Sequence, residues 1–248
     1  MTSDAGGGAR RLHPRPPAPE GAAPEPTAPE PVAPVLDQVK PRLRGWLHAC
    51  TAPLALAAGV VLVVLAPTTA GKAGGAVFLA ASVLLFGTSG LYHRRTWGVR
   101  GEAVMRRLDH ANIYVFIAAS YTPMALLMLD GGSRVLLLAL IWGAALGGLF
   151  FRLFWLDAPR WLYTALYIVM GWAAVGWMGA FYASGGLTVL LLILLGGLFY
   201  TGGAVVYARK RPDPSPGWFG FHEIFHAGTV LGFASHYVAI SLLTYAAR

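Results

Sequence analysis

Charge is scarce in this chain. Of its 248 residues only 12% are Asp, Glu, Lys or Arg, about half of the roughly 25% found in a soluble domain. Cysteine is nearly absent: the lone Cys50 excludes an intrachain disulfide and any cysteine-based zinc cluster. Long polar stretches between the apolar runs are missing beyond residue 46, so no extramembrane domain fits there and any chemistry must take place inside the apolar part. A cleavable leader is not expected, because the first apolar run begins only near residue 46 and would itself serve as the insertion signal.

What the chain has in quantity is apolar side chain, 56% of the total, with a mean hydropathy of +0.57. An apolar stretch of about 20 residues crosses a bilayer as a helix. Seven such stretches are read at 46–66, 74–93, 110–129, 134–151, 161–181, 186–207 and 222–245. The expected fold is all-α: a polytopic integral membrane protein, a seven-transmembrane helix bundle. Residues 1–37, rich in Pro, Ala, Gly and Glu without apolar periodicity, are expected to form a disordered cytoplasmic tail. Residues 38–248 form the seven-helix transmembrane domain, entered through a basic approach at 38–45 that suits anionic headgroups. Asp130-Gly131-Gly132-Ser133 and Ser184-Gly185-Gly186 read as tight outside turns. Gly147-Gly148, Gly196-Gly197 and Gly202-Gly203 allow close helix packing. Tyr121-Thr122-Pro123 predicts a kink, with the Thr122 hydroxyl placed to satisfy a backbone group freed by the proline.

The net charge of +8 raises the question of nucleic acid, and the positions of the charges answer it. Lys40, Arg42 and Arg44 precede the first span. Arg94, Arg95, Arg100, Arg106 and Arg107 fill the next loop on the same side, Arg152 and Arg160 bracket a third, and Arg209, Lys210 and Arg211 follow the sixth span. The alternate loops carry only Lys72 and Arg134. That asymmetry orients a plasma-membrane protein with its N-terminus in the cytoplasm and its C-terminus outside. No basic-aromatic interleaving or nucleic-acid motif is present, so membrane lipid, not nucleic acid, is the expected partner.

Under this topology the chemistry-bearing residues gather at the cytoplasmic face. His222 and His226 stand four apart at the start of the last span, so a helix places both on one face. Ser89 and His93 share a face at the end of the second span, and Asp109 opens the third. Three imidazoles with a water as fourth ligand compose an open zinc site. The metal lowers the pKa of that water, and a carboxylate accepts its proton. Asp109 is one candidate base and Ser89 a donor to substrate or to a ligand. Glu223 is the rival base, since His222-Glu223-Ile224-Phe225-His226 also matches the His-Glu-x-x-His signature of zinc proteases. The bland alternative for the histidine pair is interhelical hydrogen bonding. His48 and His110 could contribute from the same face, whereas His236, ten residues beyond His226, is expected about 15 Å deeper as a core histidine.

Ser89-Gly90-Leu91-Tyr92-His93, Leu108-Asp109-His110 with Ile113-Tyr114, Tyr121-Thr122-Pro123, Met170-Gly171-Trp172, and His222 through His226 leading to His236 together resemble the hemolysin III family. That family is the bacterial branch of the progestin and adiponectin receptor superfamily. The resemblance implies seven helices and an intramembrane zinc site near the cytoplasmic face. Its ligands would correspond to His93, His222 and His226, and its serine and aspartate to Ser89 and Asp109. It implies ceramidase-like chemistry, hydrolysis of a membrane lipid amide or ester. Two other functions stay open: a non-enzymatic membrane-homeostasis or receptor-like protein with structural zinc, and the cytolysin or pore of the family's name.

Overall fold

The computed structural model describes residues 41–247, so the expected N-terminal tail lies outside the described residues. Helices α1 (Trp46–Leu65), α2 (Thr69–Arg94), α3 (Val99–Met128) and α4 (Gly131–Phe154) follow one another through short turns. Then come α5 (Arg160–Gly171), a 3-10 segment (Ala173–Trp177), α6 (Met178–Arg209) and α7 (Phe221–Ala246). This is an all-helical membrane protein. Among the described residues six helical stretches are long and apolar enough to cross a bilayer, with Arg160–Arg209 counted as one of 50 residues.

That fifth stretch doubles back. Arg160 Nη1 donates to the Tyr207 carbonyl at 3.5 Å, which brings its two ends together. Its middle reaches the far end of α3, where Ser184 Oγ donates to Met128 O at 2.8 Å. The reversal occurs at Gly186, whose φ of 71° and ψ of −177° lie outside the helical region and are cheap only for glycine. The 3-10 break before it is held by Tyr121: its hydroxyl donates to Gly171 O and accepts from Ala174 N.

Helix α3 is the axis of the bundle. Its most apolar 18-residue window is 72% buried, against 28% for α1 and 22% for α4, whose faces meet lipid. Thirty residues make it about 45 Å long, more than the roughly 30 Å hydrocarbon core. It begins at Val99, so Asp109 sits almost three turns into it instead of opening it. The core around α3 is aromatic, with Phe78, Phe86, Phe116 and Phe233 in mutual ring contact at 5.1–6.4 Å.

Small residues let neighbouring helices close on this axis. A Cβ on Gly74 would lie 2.7 Å from Pro123 Cα, one on Gly148 would enter the Tyr114 ring, and one on Gly196 would enter the His236 ring. One glycine of each expected pair takes part: a Cβ on Gly203 would also be tight, 3.2 Å from Phe225 O, whereas Gly147 and Gly202 have nothing within 4 Å. Helix α3 runs through Pro123 without a break. Thr122 Oγ1 donates to Ala118 O at 3.0 Å and accepts from Trp142 Nε1 at 3.1 Å. The carbonyl that Pro123 leaves free is that of Ala119, one residue on, so the Thr122 hydroxyl does not serve it directly.

Candidate metal centre and cavity

Three helices meet at the arginine-rich end of the bundle. His93 comes from the last turn of α2, Asp109 from α3, and His222 and His226 from the first two turns of α7. The ligand nitrogens of His93, His222 and His226 lie within 4.8 Å of one another. His222 Nε2 and His226 Nε2 are 3.1 Å apart, near the roughly 3.3 Å edge of a tetrahedron with Zn–N bonds of about 2.0–2.1 Å. Three imidazoles whose ligand nitrogens converge this closely suit zinc. The three histidines are a candidate metal-binding cluster.

Asp109 stands beside it. Its Oδ2 lies 3.7 Å from His93 Nε2 and 4.0 Å from His110 Nδ1. Ser89, one turn before His93 and buried, hydrogen-bonds the Asp109 side chain. Asn112 ties α3 to α2 beneath this pair, donating to Thr88 Oγ1 at 3.2 Å. His110 turns away, its Nδ1 2.7 Å from Arg106 O, while its own carbonyl accepts from the Tyr167 hydroxyl at 3.0 Å.

Glu223 takes no place in the cluster. It is fully buried, and its Oε1 accepts from Arg44 Nε. Its Oε2 accepts from Gly220 N at 2.8 Å, closing the free N-terminus of α7 in the manner of a capping box. Both carboxylate oxygens are therefore engaged away from the histidines. Arg44 reaches Glu223 because the chain folds over the site: Arg42 N donates to Gly217 O at 3.0 Å and Leu43 N to Trp218 O at 3.2 Å. Gly45 makes that fold possible. Its φ is 80°, and a Cβ there would lie 2.6 Å from His93 Cβ.

His48 is buried and its ring stacks on His226, with centroids 3.8 Å apart and planes at 11°. Near-parallel rings aim their lone pairs along separate planes, so an ion held by His226 lies out of reach of His48. The contribution that the sequence left open for His48 is, in this arrangement, packing against the His226 ring. His236 remains apart as expected, its Nε2 3.1 Å from Ile193 O.

From this cluster an apolar cavity runs into the bundle. His48, Ser89, Asp109 and His226 form its head, and Met124, Ala174 and Met178 its foot. Its enclosed volume is about 110 Å³, a narrow space beside the roughly 300–1,000 Å³ of drug-sized ligand pockets. A smaller pocket of about 20 Å³, room for about one water, opens beside Asp109 and His222, lined by His110, Tyr163, Thr164 and Tyr207.

An all-helical multi-pass membrane protein with a histidine triad at one end of its bundle is the class these observations define. A family model described as Haemolysin-III related matches residues 36–237. The chain belongs to the haemolysin-III related family. It is 33% identical over 156 residues to the Hemolysin-3 homolog of Bacillus subtilis (strain 168), covering 63% of this chain and 70% of that protein. It is 34% identical over 110 residues to Hemolysin-3 of Bacillus cereus, covering 44% of this chain and 50% of the relative. A further likeness, 31% over 162 residues, covers 58% of this chain and 69% of the Heptahelical transmembrane protein ADIPOR2 of Oryza sativa subsp. japonica. That likeness supports the link to the progestin and adiponectin receptor superfamily.

Sequence reasoning read Arg44 only as an orientation signal and passed over Gly45 and Asn112. An Asn within an apolar span carries a signal, because an unsatisfied amide is costly in lipid. Gly45 carries none until the partner helix is known.

Proposed function

We propose that this protein is a zinc-dependent hydrolase of a membrane lipid amide or ester. His93, His222 and His226 hold the zinc, Asp109 is the general base and Ser89 positions it. The observation that carries this reading is the placement of Asp109. Its carboxylate lies beside the histidine triad and at the head of an apolar cavity, whereas the fully buried carboxylate of Glu223 is already neutralised by Arg44. Bound zinc would polarise the scissile carbonyl and acidify a water beside it. Asp109 Oδ2 takes the proton that this water releases as it attacks and returns it to the leaving amine or alcohol. Ser89 holds the carboxylate in the orientation that accepts this proton. The narrow cavity suits a slender apolar chain lying between the helices and keeps bulk water from it.

In this reading Arg160–Arg209 supplies two crossings, turning at Gly186, which makes seven; the printed name of the Oryza relative supports that count. The arginine-rich end faces the cytoplasm of a plasma membrane and the C-terminus lies outside.

A structural role for the zinc is the second reading. It is favoured by one observation: the triad joins α2 to α7, so an ion there would cross-link the two helices. A pore is disfavoured, because the one carboxylate lining the cavity, Asp109, stands at one end with His48 and His226, and no ionisable side chain lines the rest of it beyond His236 and tyrosines.

The test is elemental analysis of purified protein combined with a screen of lipid amides and esters. About one zinc per chain and release of a fatty acid are expected. Full zinc occupancy in a His222→Ala, His226→Ala double variant would overturn the ligand set. Zinc-loaded protein that hydrolyses no lipid yet loses stability on zinc removal would establish the structural role.

A further inference from the structure

On the opposite side of α3 from α1 and α2, four arginines gather around the α4–α5 turn. Arg107 Nε donates to Leu153 O at 3.1 Å, and Arg106 Nη2 meets Asp157 at 3.2 Å. Arg160 opens α5 and lies over the Tyr207 ring at 4.8 Å. Arg152 is the unusual member. It is 2% exposed, the largest of the fully buried side chains among the described residues. Its Nη1 donates to the carbonyls of Trp155 and Leu156 at 3.2 and 3.1 Å, and its guanidinium stacks on the Tyr163 ring at 4.4 Å. Its Nε has no hydrogen-bond partner, nor has the buried Nε of Arg106. No carboxylate among the described residues pairs with Arg152. The single acid of the turn, Asp157, has an 89% exposed side chain.

A guanidinium cannot lose its charge, and burial without a counter-anion is costly. Within a membrane protein such a residue points to a missing partner. Carbonyl contacts and one ring disperse the charge without cancelling it. Planar forked donors with free N–H groups match a phosphate. The surroundings say what carries that phosphate. Phe154 is 86% exposed, Trp161 66% and Trp155 51%. Exposed indoles mark the headgroup level of a bilayer, and basic pockets between helices at that level take anionic headgroups.

We propose that the α3–α4–α5 corner is a binding site for an anionic phospholipid, its phosphate held by Arg152 with Arg106 and Arg160 and its acyl chains lying on Phe154 and Trp161. This site is separate from the histidine triad, and it stands or falls independently of the hydrolase reading.

The test uses full-length protein in neutral detergent, stripped of lipid, with thermal unfolding followed against added dihexanoyl phosphatidylglycerol. A saturable rise in Tm is expected, absent with dihexanoylglycerol, which has the same tails and no phosphate. Arg152→Gln should weaken the effect roughly 10–100-fold, the loss expected for a charge-assisted hydrogen bond. If Arg152→Gln gives no cooperative transition, Arg106→Gln, Arg160→Gln, whose side chains are partly exposed, should show the loss instead. The rise should persist in the His222→Ala, His226→Ala variant; its disappearance there would move the phosphate to the triad and overturn the proposal. An equal rise with inorganic phosphate would overturn the lipid as its source. Equal effects of the two lipids, or undiminished binding in the arginine variants, would overturn the site itself.

Discussion

Asp109, with a 12% exposed side chain, and the fully buried Glu223 are carboxylates at the same end of the bundle, each beside a histidine of the triad, yet their surroundings differ. Glu223 meets Arg44 through one oxygen and the Gly220 amide through the other, leaving neither oxygen for a substrate. Asp109 has Ser89 and two histidine nitrogens at 3.7 and 4.0 Å, with no arginine or lysine paired to it. The first environment stabilises a fixed negative charge and closes a helix terminus. The second leaves a carboxylate facing a cavity, where it can exchange a proton. The His-Glu-x-x-His pattern, which in zinc proteases makes the Glu the base, here serves a cap.

The sharpest way to break this contrast is Asp109→Asn. If hydrolysis occurs, the rate should fall by a factor on the order of 10²–10⁴, while zinc content and Tm stay near those of the parent. A fall in zinc to the level of the histidine variants would make Asp109 part of the metal's support instead.

Glu223→Gln should show the opposite profile. Gln can still accept from Gly220, but Arg44 loses its counter-charge, with about 1.5–3 kcal/mol of stability lost. Calorimetry or denaturation would register this as a lower Tm. Activity should change only a few-fold; a larger loss than that of Asp109→Asn would restore the protease-like assignment.

Gly45→Ala probes what holds the Arg44 arm over the site. A left-handed backbone costs a residue with a Cβ about 1–2 kcal/mol, and the new methyl would press on His93. The expected result is lower stability together with weaker zinc retention under chelator titration. A change in stability with zinc affinity unaltered would show that the arm and His93 move independently.

The smallest effect on the metal is expected from His236→Asn. This ring fills the space left by Gly196 and sits near Ile193 O, remote from the triad. Zinc content should be unchanged, with a stability loss of about 1 kcal/mol from one hydrogen bond.

Much of this could be read before any coordinate. Length and hydropathy announce membrane helices because a lipid-exposed backbone must satisfy itself within each span. The i, i+4 spacing puts His222 and His226 on one face because a helix turns every 3.6 residues. The motifs from Ser89 through His236 carry the family, which the family comparison bears out. Less legible was the start of α3. Its first turns hold Glu102, Arg106 and Arg107 and so look like a loop, yet helix persists where polar side chains can reach the headgroup region.

The sequence by itself determined which segments enter the membrane and which residue types could meet at one end, since both follow from local periodicity and from the energy of apolar burial. Only the tertiary structure decided which carboxylate is occupied. Arg44 and Glu223 are 179 positions apart, and no local rule relates them. It likewise decided that His48 stacks on His226 and that Arg152 is buried without an acid among the described residues. Pairing across helices depends on how the bundle closes, and that is set by many small contacts around α3 acting at once.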